Sequence, residues 1–358
     1  MRTAVVILNW NTRDYLERFL PPLLDSLRGQ DAEAVVADNA SDDGSRELLA
    51  ARFPQVRTVL LDRNYGFTGG YNRAFARLLD DAADAPEYLV LLNSDIEVPE
   101  RWLQPLVAWM DAHPDYAACG PKLHALEPDG AGGYRRTDRF EYAGAAGGYL
   151  DRYGFPFCRG RVLSRTERDS GQYDHPADVL WVSGACLLVR ARCWREIGGL
   201  DDRFFAHMEE IDWCWRAALA GWRVGIVPES CVWHLGGGTL APASPFKLKL
   251  NYRNGLLLLE NNLPAAAGVR KARRRIRIRR ILDCGAAVVY LLSGKAACAQ
   301  AVREAHREYR TLRDKAHAQV KKAAGAASRG YFPLRILLQS AWRGTHIFEY
   351  LRRYEDRY

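Results

Sequence analysis

The sequence predicts an open, doubly wound α/β sheet of mainly parallel strands, followed by a helical C-terminal extension. Three observations carry this. Short apolar runs alternate with helical periodicity over the first 120 residues. Polar residues gather where those runs end, at Asn9, Asp38, Asn64 and Asp95. Beyond Leu263 strand patterning stops, and the chain becomes basic and helical in period. The division falls at residues 1–264 and 265–358.

Thr3–Trp10, TAVVILNW, is a continuous β-rich run and reads as a buried parallel strand. Asn11 or Thr12 caps a helix with apolar residues at Tyr15, Leu16, Phe19, Leu20 and Leu23. Pro21 and Pro22 are expected to kink or break it. A second strand, Glu33–Asn39, ends in the turn-forming ASDDGS, and VRTVLLD forms a third. The helix of GFTGGYNRAFARLL opens on glycines, and YLVLLNSD is a fourth strand ending on polar residues. From Cys119 to about Asp178 the pattern weakens into Gly, Tyr and Arg, as loops and hairpins facing an acceptor would. DVLWVSGACLLVRARCWREIGG restores order as a strand pair and a short helix. An acid-rich helix follows, then the strand WRVGIVPES and CVWHLGGG.

The 358 residues suit one large domain with an appendage, and 48% apolar content suffices for its core. The net charge of +8 is unevenly spread. From Ala265 onward Lys and Arg outnumber Asp and Glu by 22 to 7, whereas before it the ratio is 29 to 36. An acidic body thus carries a strongly basic tail, which points to an anionic partner for the tail. The eight cysteines form no CxxC, which excludes zinc-knuckle and thioredoxin-type motifs and leaves reduced, mostly buried thiols. The N-terminal apolar run is too brief for a secretory leader, and Cys284–Gly294 too short to span a bilayer. A soluble or peripheral protein is expected.

Ligands of such sheets bind outside the carboxyl ends of the strands. Asp38 can accept from a base imide or a ribose hydroxyl, and Asn39 to Asp43 and Gly44 form a turn that exposes backbone N–H groups. Gly66, Gly69 and Gly70 open a helix and allow close approach of a phosphate, with Asn64 and Asn72 on either side. No GxGxxG follows the first strand, so a dinucleotide oxidoreductase is disfavoured. Asn93, Ser94 and Asp95 end a buried strand, where one carboxylate can hold a divalent metal on a diphosphate. His234, between a strand and a glycine run, is a candidate for metal or phosphate. FFAHMEEIDWCWR places Glu209, Glu210 and Asp212 among aromatic residues. Ile211, Trp215, Ala218 and Leu219 make its core stripe, and Asp212 pairs with Arg216 on the flank. Glu209 and Glu210 are then left pointing out of the first turn toward the crevice, with Glu210 the better candidate base. Trp181, Trp213, Trp215 and Trp233 offer apolar faces for sugars, and Trp181, Trp213 and Trp233 are assigned to the acceptor.

The order VVILNWN, VVADNASDDGS, RNYGFTGGYNRA, LLNSD, WVSGACLLVRA, FFAHMEEIDWCWR, VWHLGGG closely resembles the family-2 glycosyltransferases, in their rhamnosyltransferase-like branch, over Thr3 to Pro264. The resemblance implies a GT-A fold and inverting transfer from a nucleoside diphosphate sugar, with dTDP-rhamnose the first choice. It implies that Asp38, with Asn9 and Asn64, binds the base, and that Asp95 is the last acid of the DxD motif, holding Mg²⁺ or Mn²⁺. Asn93 stands where many relatives carry Asp, which adds weight to His234 as a ligand. Glu209–Glu210 matches the family's ED motif, with Glu in the place of Asp at the base. The acceptor is then a glycan or lipid-linked glycan, and the site of action the cytoplasm, peripheral to the inner membrane's cytoplasmic face.

The alternative is a catalytically degenerate binder of nucleotide sugars or glycans, favoured by Asn93. In the tail, RKARRRIRIRR would serve nucleic acid. Its interleaved Ile276, Ile278, Ile281 and Leu282 instead suggest a helix over 270–282 lying on anionic lipid, so no nucleic acid is expected.

Overall fold

The computed structural model describes residues 2–80, 84–236, 244–313, 323 and 330–355. Its first half alternates strand and helix: β1 (Thr3–Asn9), α1 (Arg13–Ser26), β2 (Ala32–Asp38), α2 (Ser45–Arg52), β3 (Arg57–Leu60), α3 (Gly66–Leu79) and β4 (Tyr88–Leu92). A short β5 (Ile96–Glu97), α4 (Leu103–Ala112), the long β6 (Tyr116–Pro128) and β7 (Tyr134–Phe140) follow. Next come β8 (Gly148–Leu150), β9 (Pro156–Cys158), β10 (Arg161–Val162), β11 (Arg165–Thr166), β12 (Ala177–Val179), β13 (Cys186–Arg190) and α5 (Ala191–Ile197). Then come α6 (Glu209–Leu219) and β14 (Arg223–His234). The tail holds α7 (Pro245–Ala267), α8 (Val269–Leu292), α9 (Ala296–Leu312), α10 (Ile336–Arg343) and α11 (Ile347–Glu355).

The main sheet runs β12-β14-β6-β13-β4-β1-β2-β3, with β5 on β14 and β7 on β6. Strands β4, β1, β2 and β3 are parallel, as are β14 and β6, and antiparallel β13 stitches the two groups together. The runs AVVI, AVVA and LVLL are buried throughout because helices cover both faces of this half. Register sets Asn9 beside Asp38 and ends β4 next to β1, so the polar strand ends form one edge.

Three expectations need correction. Helix α1 runs unbroken through Pro21 and Pro22, because Leu16, Phe19, Leu20 and Leu23 keep its buried stripe continuous. The weak region after Cys119 holds the 13-residue β6 and a four-stranded sheet of β8–β11. The two or three residues of each of β8 to β11 are too few to show a period. Asp212 is no flank residue. It is fully buried, accepts from Arg216 Nε at 2.7 Å, and also takes Asn261 and Asn262 of α7 at 2.9 and 2.8 Å.

The boundary at residue 264 falls inside α7, which packs on both α6 and α9. The chain also returns to the body, where Phe332 donates to Leu150 O at 2.8 Å. In the basic segment, Ile276 is buried and Ile278 half-buried, so of the four interleaved residues only Ile281 and Leu282 are exposed. The second half of the expected last helix, beyond 313, lies outside the described residues except for Ala323.

Removing one member of a buried ion pair strands the other without compensation, at about 3–5 kcal/mol. Asp212→Ala should therefore lower unfolding free energy by about that amount in urea titration, with α6 affected first. A loss below about 1 kcal/mol would contradict the role given to the pair.

Candidate functional site

Two groups of residues face each other across the edge of the sheet. The first is built by the β1–β2 register. Asn9 Nδ2 donates to Asp38 Oδ2 at 3.0 Å, Arg46 Nε to Asp38 Oδ1 at 2.6 Å, and the Ser41 backbone N–H to the same oxygen at 3.1 Å. Burial alone would raise the Asp38 carboxyl. The bonds from Ser41, Arg46 and Asn9 outweigh it and hold the group below the ordinary carboxylate range. Arg46 also donates to Leu61 O at 3.1 Å, which fixes the guanidinium at the mouth of the crevice.

Other expected donor-site residues do structural work. Asp43 accepts from Arg13 N and Ser45 N, tying the first turns of α1 and α2 together. Asn39 bonds Asn64, the Gly66 carbonyl and Tyr65 N, closing the turn into α3. Asn72 holds Leu200 through both its backbone groups, and Asp202 as well. Gly66 adopts φ +70°, and a Cβ there would meet the Phe205 ring at 2.5 Å. The space it leaves is filled by Phe205, where the sequence suggested phosphate. Gly69 likewise makes room for Tyr65.

The second group contains Asn93, Ser94, Asp95 and His234. His234 Nε2 lies 3.1 Å from Asp95 Oδ1 and 3.3 Å from Asn93 Nδ2, while its Nδ1 lies 3.3 Å from Glu141 Oε2. Burial would push this imidazole down, but Asp95 and Glu141 on its two sides reverse the effect and raise it well above the ordinary range, and a bound cation would displace that proton. The two donor atoms suit a divalent cation: adjacent corners of an octahedron with 2.1 Å bonds are about 3.0 Å apart. Glu141 behind the ring is the carboxylate that commonly orients a metal-binding histidine. Among the described residues no three His, Cys, Asp or Glu side chains converge as a complete cage. Any cation here needs further oxygens from a ligand. Gly237 and Gly238 of the glycine run lie outside the described residues.

Glu210 stands beside this group. A Cβ on Gly184 would lie 3.5 Å from Glu210 Cβ, and the adjacent Ala185 accepts from Asn93 N at 2.9 Å. The turn 183–185 therefore links the first turn of α6 to the end of β4. Of the two glutamates, Glu209 is buried and Glu210 half-exposed. The Oε2 atoms of both are buried without a hydrogen-bond partner among the described residues. Burial raises both carboxyls, Glu209 well above the ordinary range, with repulsion from Glu210 adding to it. For Glu210 the N–H groups of its own first turn and of Gly184 oppose that rise.

The loop before α6 is held in an unusual shape. Phe205, His207 and Met208 have φ of 64°, 70° and 72°, left-handed values costly for side chains of this size. Phe67 N and Thr68 N donate to Phe205 O from one side. From the other, fully buried Asn254 Nδ2 lies 2.7–3.0 Å from the carbonyls of Phe204, Ala206 and His207. Arg253 Nη2 donates to Phe204 O at 2.7 Å, while its Nη1 pairs with Glu308 of α9 at 2.9 Å. Burial and nearby Lys247 depress His207 to about 4, so it is neutral. Glu141, Arg253 and Asn254 were not visible in the sequence. Glu141 sits in the patternless stretch, and Asn254 carries no motif to mark an inward polar contact.

The acceptor tryptophans need revision. Trp213 and Trp181 are fully buried, with indole N–H groups on Gly198 O at 2.9 Å and Tyr149 O at 3.2 Å. Neither has a face open to a sugar. Trp233 is half-exposed, but alternates on β14 to the side opposite His234 and carries Arg136 over its ring at 4.4 Å.

Comparison with known proteins finds relatives of this chain and of its fold. The family model described as "Glycosyl transferase family 2" matches residues 4–162. The N-acetylglucosaminyl-diphospho-decaprenol L-rhamnosyltransferase of Mycobacterium tuberculosis is 31% identical over 64% of this chain and 75% of its own length. The dTDP-rhamnosyl transferase RfbF of Shigella flexneri is 23% identical over 70% of this chain and 79% of its own. Among solved structures, GalNAc-T7 with UDP, GalNAc and Mn²⁺ superposes with a TM-score of 0.55 at 18% identity. That alignment covers 73% of this chain and 48% of GalNAc-T7, so the chain spans about half of that protein.

Asn254→Ala should free the carbonyls of Ala206 and His207, leaving these acceptors unpaired at about 1–3 kcal/mol, while Arg253 still holds Phe204 O. Hydrogen exchange should show faster opening of residues 204–210, with the β1–β4 amides unchanged. Uniform loss of protection across the sheet would instead mean that Asn254 supports the whole fold.

Proposed function

The chain belongs to glycosyl transferase family 2 and is a glycosyltransferase, and on that premise we propose that it transfers rhamnose, with inversion, from dTDP-rhamnose to a hydroxyl of a lipid-linked glycan. The reading places the reaction in cell-surface polysaccharide synthesis, on the cytoplasmic face of the membrane. The names of the Mycobacterium tuberculosis and Shigella flexneri relatives supply the sugar, its nucleotide and the lipid-linked acceptor. The observation that carries the reading is the half-exposed Glu210 at the first turn of α6, one turn of chain away from the Asn93–Asp95 strand end.

In this reading the residues divide three tasks. Asp38, kept ionised by Arg46, Ser41 and Asn9, is an acceptor for the donor's base, and Arg46 holds it still. Asp95 and His234, backed by Glu141, would hold Mg²⁺ or Mn²⁺, as GalNAc-T7 was solved with Mn²⁺. When bound, the cation stabilises negative charge on the departing nucleoside diphosphate. The diphosphate oxygens complete the coordination that two protein ligands leave unfinished.

The half-exposed Glu210 carboxylate accepts the proton of the acceptor hydroxyl as that oxygen attacks the anomeric carbon. The anomeric carbon–phosphate oxygen bond breaks in the same displacement, so no covalent sugar–enzyme intermediate forms. Glu209 is buried in the same first turn, where burial and repulsion from Glu210 raise its own carboxyl well above the ordinary range. Asn93 presents its amide to His234 and leaves Asp95 as the carboxylate of this strand end.

Glu210→Gln should lower kcat by about 10²–10⁴ while dTDP-rhamnose binding is retained. Full transfer in that variant would overturn the assignment of the base. The acidic limb of kcat/KM should rise through an apparent pKa above that of an ordinary glutamate, since burial raises both carboxyls. Glu209→Gln mimics the neutral carboxyl that burial favours at that position and should leave that limb in place. A limb that moves to lower pH would show that Glu209 carries charge beside the base. Asp95→Ala should abolish Mn²⁺ binding in calorimetry with dTDP present, and retained binding would move the cation elsewhere.

A further inference from the structure

Helix α8 is fixed in orientation by buried polar contacts. Its inner seam is Ala272, Ile276, Arg279 and Asp283, a spacing of four, three and four residues. Arg279 Nε donates to Asp283 Oδ1 at 2.9 Å, and its Nη1 donates to the carbonyls of Tyr153 and Gly154, each at 3.1 Å. His306 of α9 meets the other Asp283 oxygen at 3.3 Å. Gly255 of α7 leaves the space this guanidinium needs, since a Cβ there would stand 2.9 Å from Arg279 Nη2. The helix cannot roll to hide another face without stranding Arg279 and Asp283 in the interior.

The face held outward changes chemistry halfway along. At 100° per residue, the line opposite the seam reads Arg270, Arg274 and Arg277, then Ile281, Val288 and Leu292. All six are exposed, with Ile281 at 69% and Leu292 at 84%. The only acid of the helix, Asp283, is buried. No helix among the described residues is long and apolar enough to cross a membrane. A surface with a cationic half and an apolar half of about three turns is suited to the boundary between headgroups and acyl chains.

We propose that α8 docks the protein on an anionic lipid bilayer, its arginines at the headgroup phosphates and its Ile281–Leu292 half dipping obliquely below them. This shifts the lipid contact toward the C-terminus from the 270–282 segment that the sequence suggested, because Ile276 is spent on the core. A second copy of the chain is a poorer occupant. Parallel pairing would oppose arginine to arginine, and antiparallel pairing would set arginine against leucine. Nucleic acid would leave Ile281, Val288 and Leu292 without a role. The docked helix would keep the chain at the bilayer surface, where the lipid-linked acceptor of the transfer reading lies. Lipid binding itself is read without donor or acceptor, so either idea can fail alone.

The test is flotation of the full chain with phosphatidylcholine vesicles, with and without phosphatidylglycerol, at low and high salt. Wild type should float with the acidic vesicles, and salt should weaken the binding. Each basic side chain near an anionic surface contributes about fivefold, so Arg270→Gln/Arg274→Gln/Arg277→Gln should weaken binding by about a hundredfold. Val288→Glu/Leu292→Glu should weaken it by more than tenfold, while transfer to a water-soluble acceptor and the circular dichroism stay at wild-type values. The proposal fails if wild type does not float, or if the glutamate pair floats as wild type does, which would mean a purely electrostatic contact. It also fails if the same pair abolishes a concentration-dependent dimer seen in sedimentation.

Discussion

The site depends on how residues 204–208 are held. Three bulky residues there sit at positive φ, which no local preference supports. Their strain is offset by carbonyls captured on both sides: Phe205 O by the first turn of α3, and those of Phe204, Ala206 and His207 by Asn254. One side-chain amide has two N–H groups for three carbonyls, so the contact must be shared and its geometry is unforgiving. The outcome is that α6 begins at Glu209 with no side-chain cap, its first N–H groups left to the two glutamates. Helix α7 therefore belongs to the packing that positions the start of α6, and through Arg253 and Glu308 so does α9.

The buried acids show how partners decide chemistry. Asp38 and Asp212 are both fully buried, and each has an arginine and amide donors. Asp38 is held ionised, and Asp212 pins α6 to α7. Glu209 is buried and Glu210 half-buried, each with an Oε2 that has no hydrogen-bond partner among the described residues, and burial raises both carboxyls. A stable fold would pair or remove such groups, since an unsatisfied buried polar atom costs about 1–3 kcal/mol. Retaining two of them side by side makes sense where a substrate hydroxyl is to supply the missing contact.

Much of this was legible in the sequence because it was periodic or local. The β1–β4 half was visible because buried parallel strands are uninterrupted apolar runs, and the polar edge because Asn9, Asp38 and Asp95 end those runs. What escaped were contacts distant in sequence. Nothing at Glu141 signals that it will stand behind His234, 93 positions away. The tryptophans misled for a related reason: an indole near acids looks like a sugar platform until packing shows it stacked on Trp194, as Trp213 is. The glycines before α3 were read correctly as a demand for space, but the occupant is Phe205 from the base loop.

That last contact joins the two halves of the crevice. Because Gly66 has no side chain, the Phe205 ring seats on the turn closed by Asn39 and Asn64, which in turn grows from the Asp38 strand end. The carbonyl of the same residue takes the first free N–H groups of α3. The turn after Asp38 and the loop before α6 are therefore one packed element, with a short mechanical route from Asp38 to Glu210. Under the proposed function, a donor that orders the Asp38 turn would also order the loop before Glu210. This coupling would favour proton removal with the donor in place over removal without it, and so limit wasteful donor hydrolysis. The cost of three left-handed residues is then set against a gain in timing, which a relaxed loop in the same position would not provide.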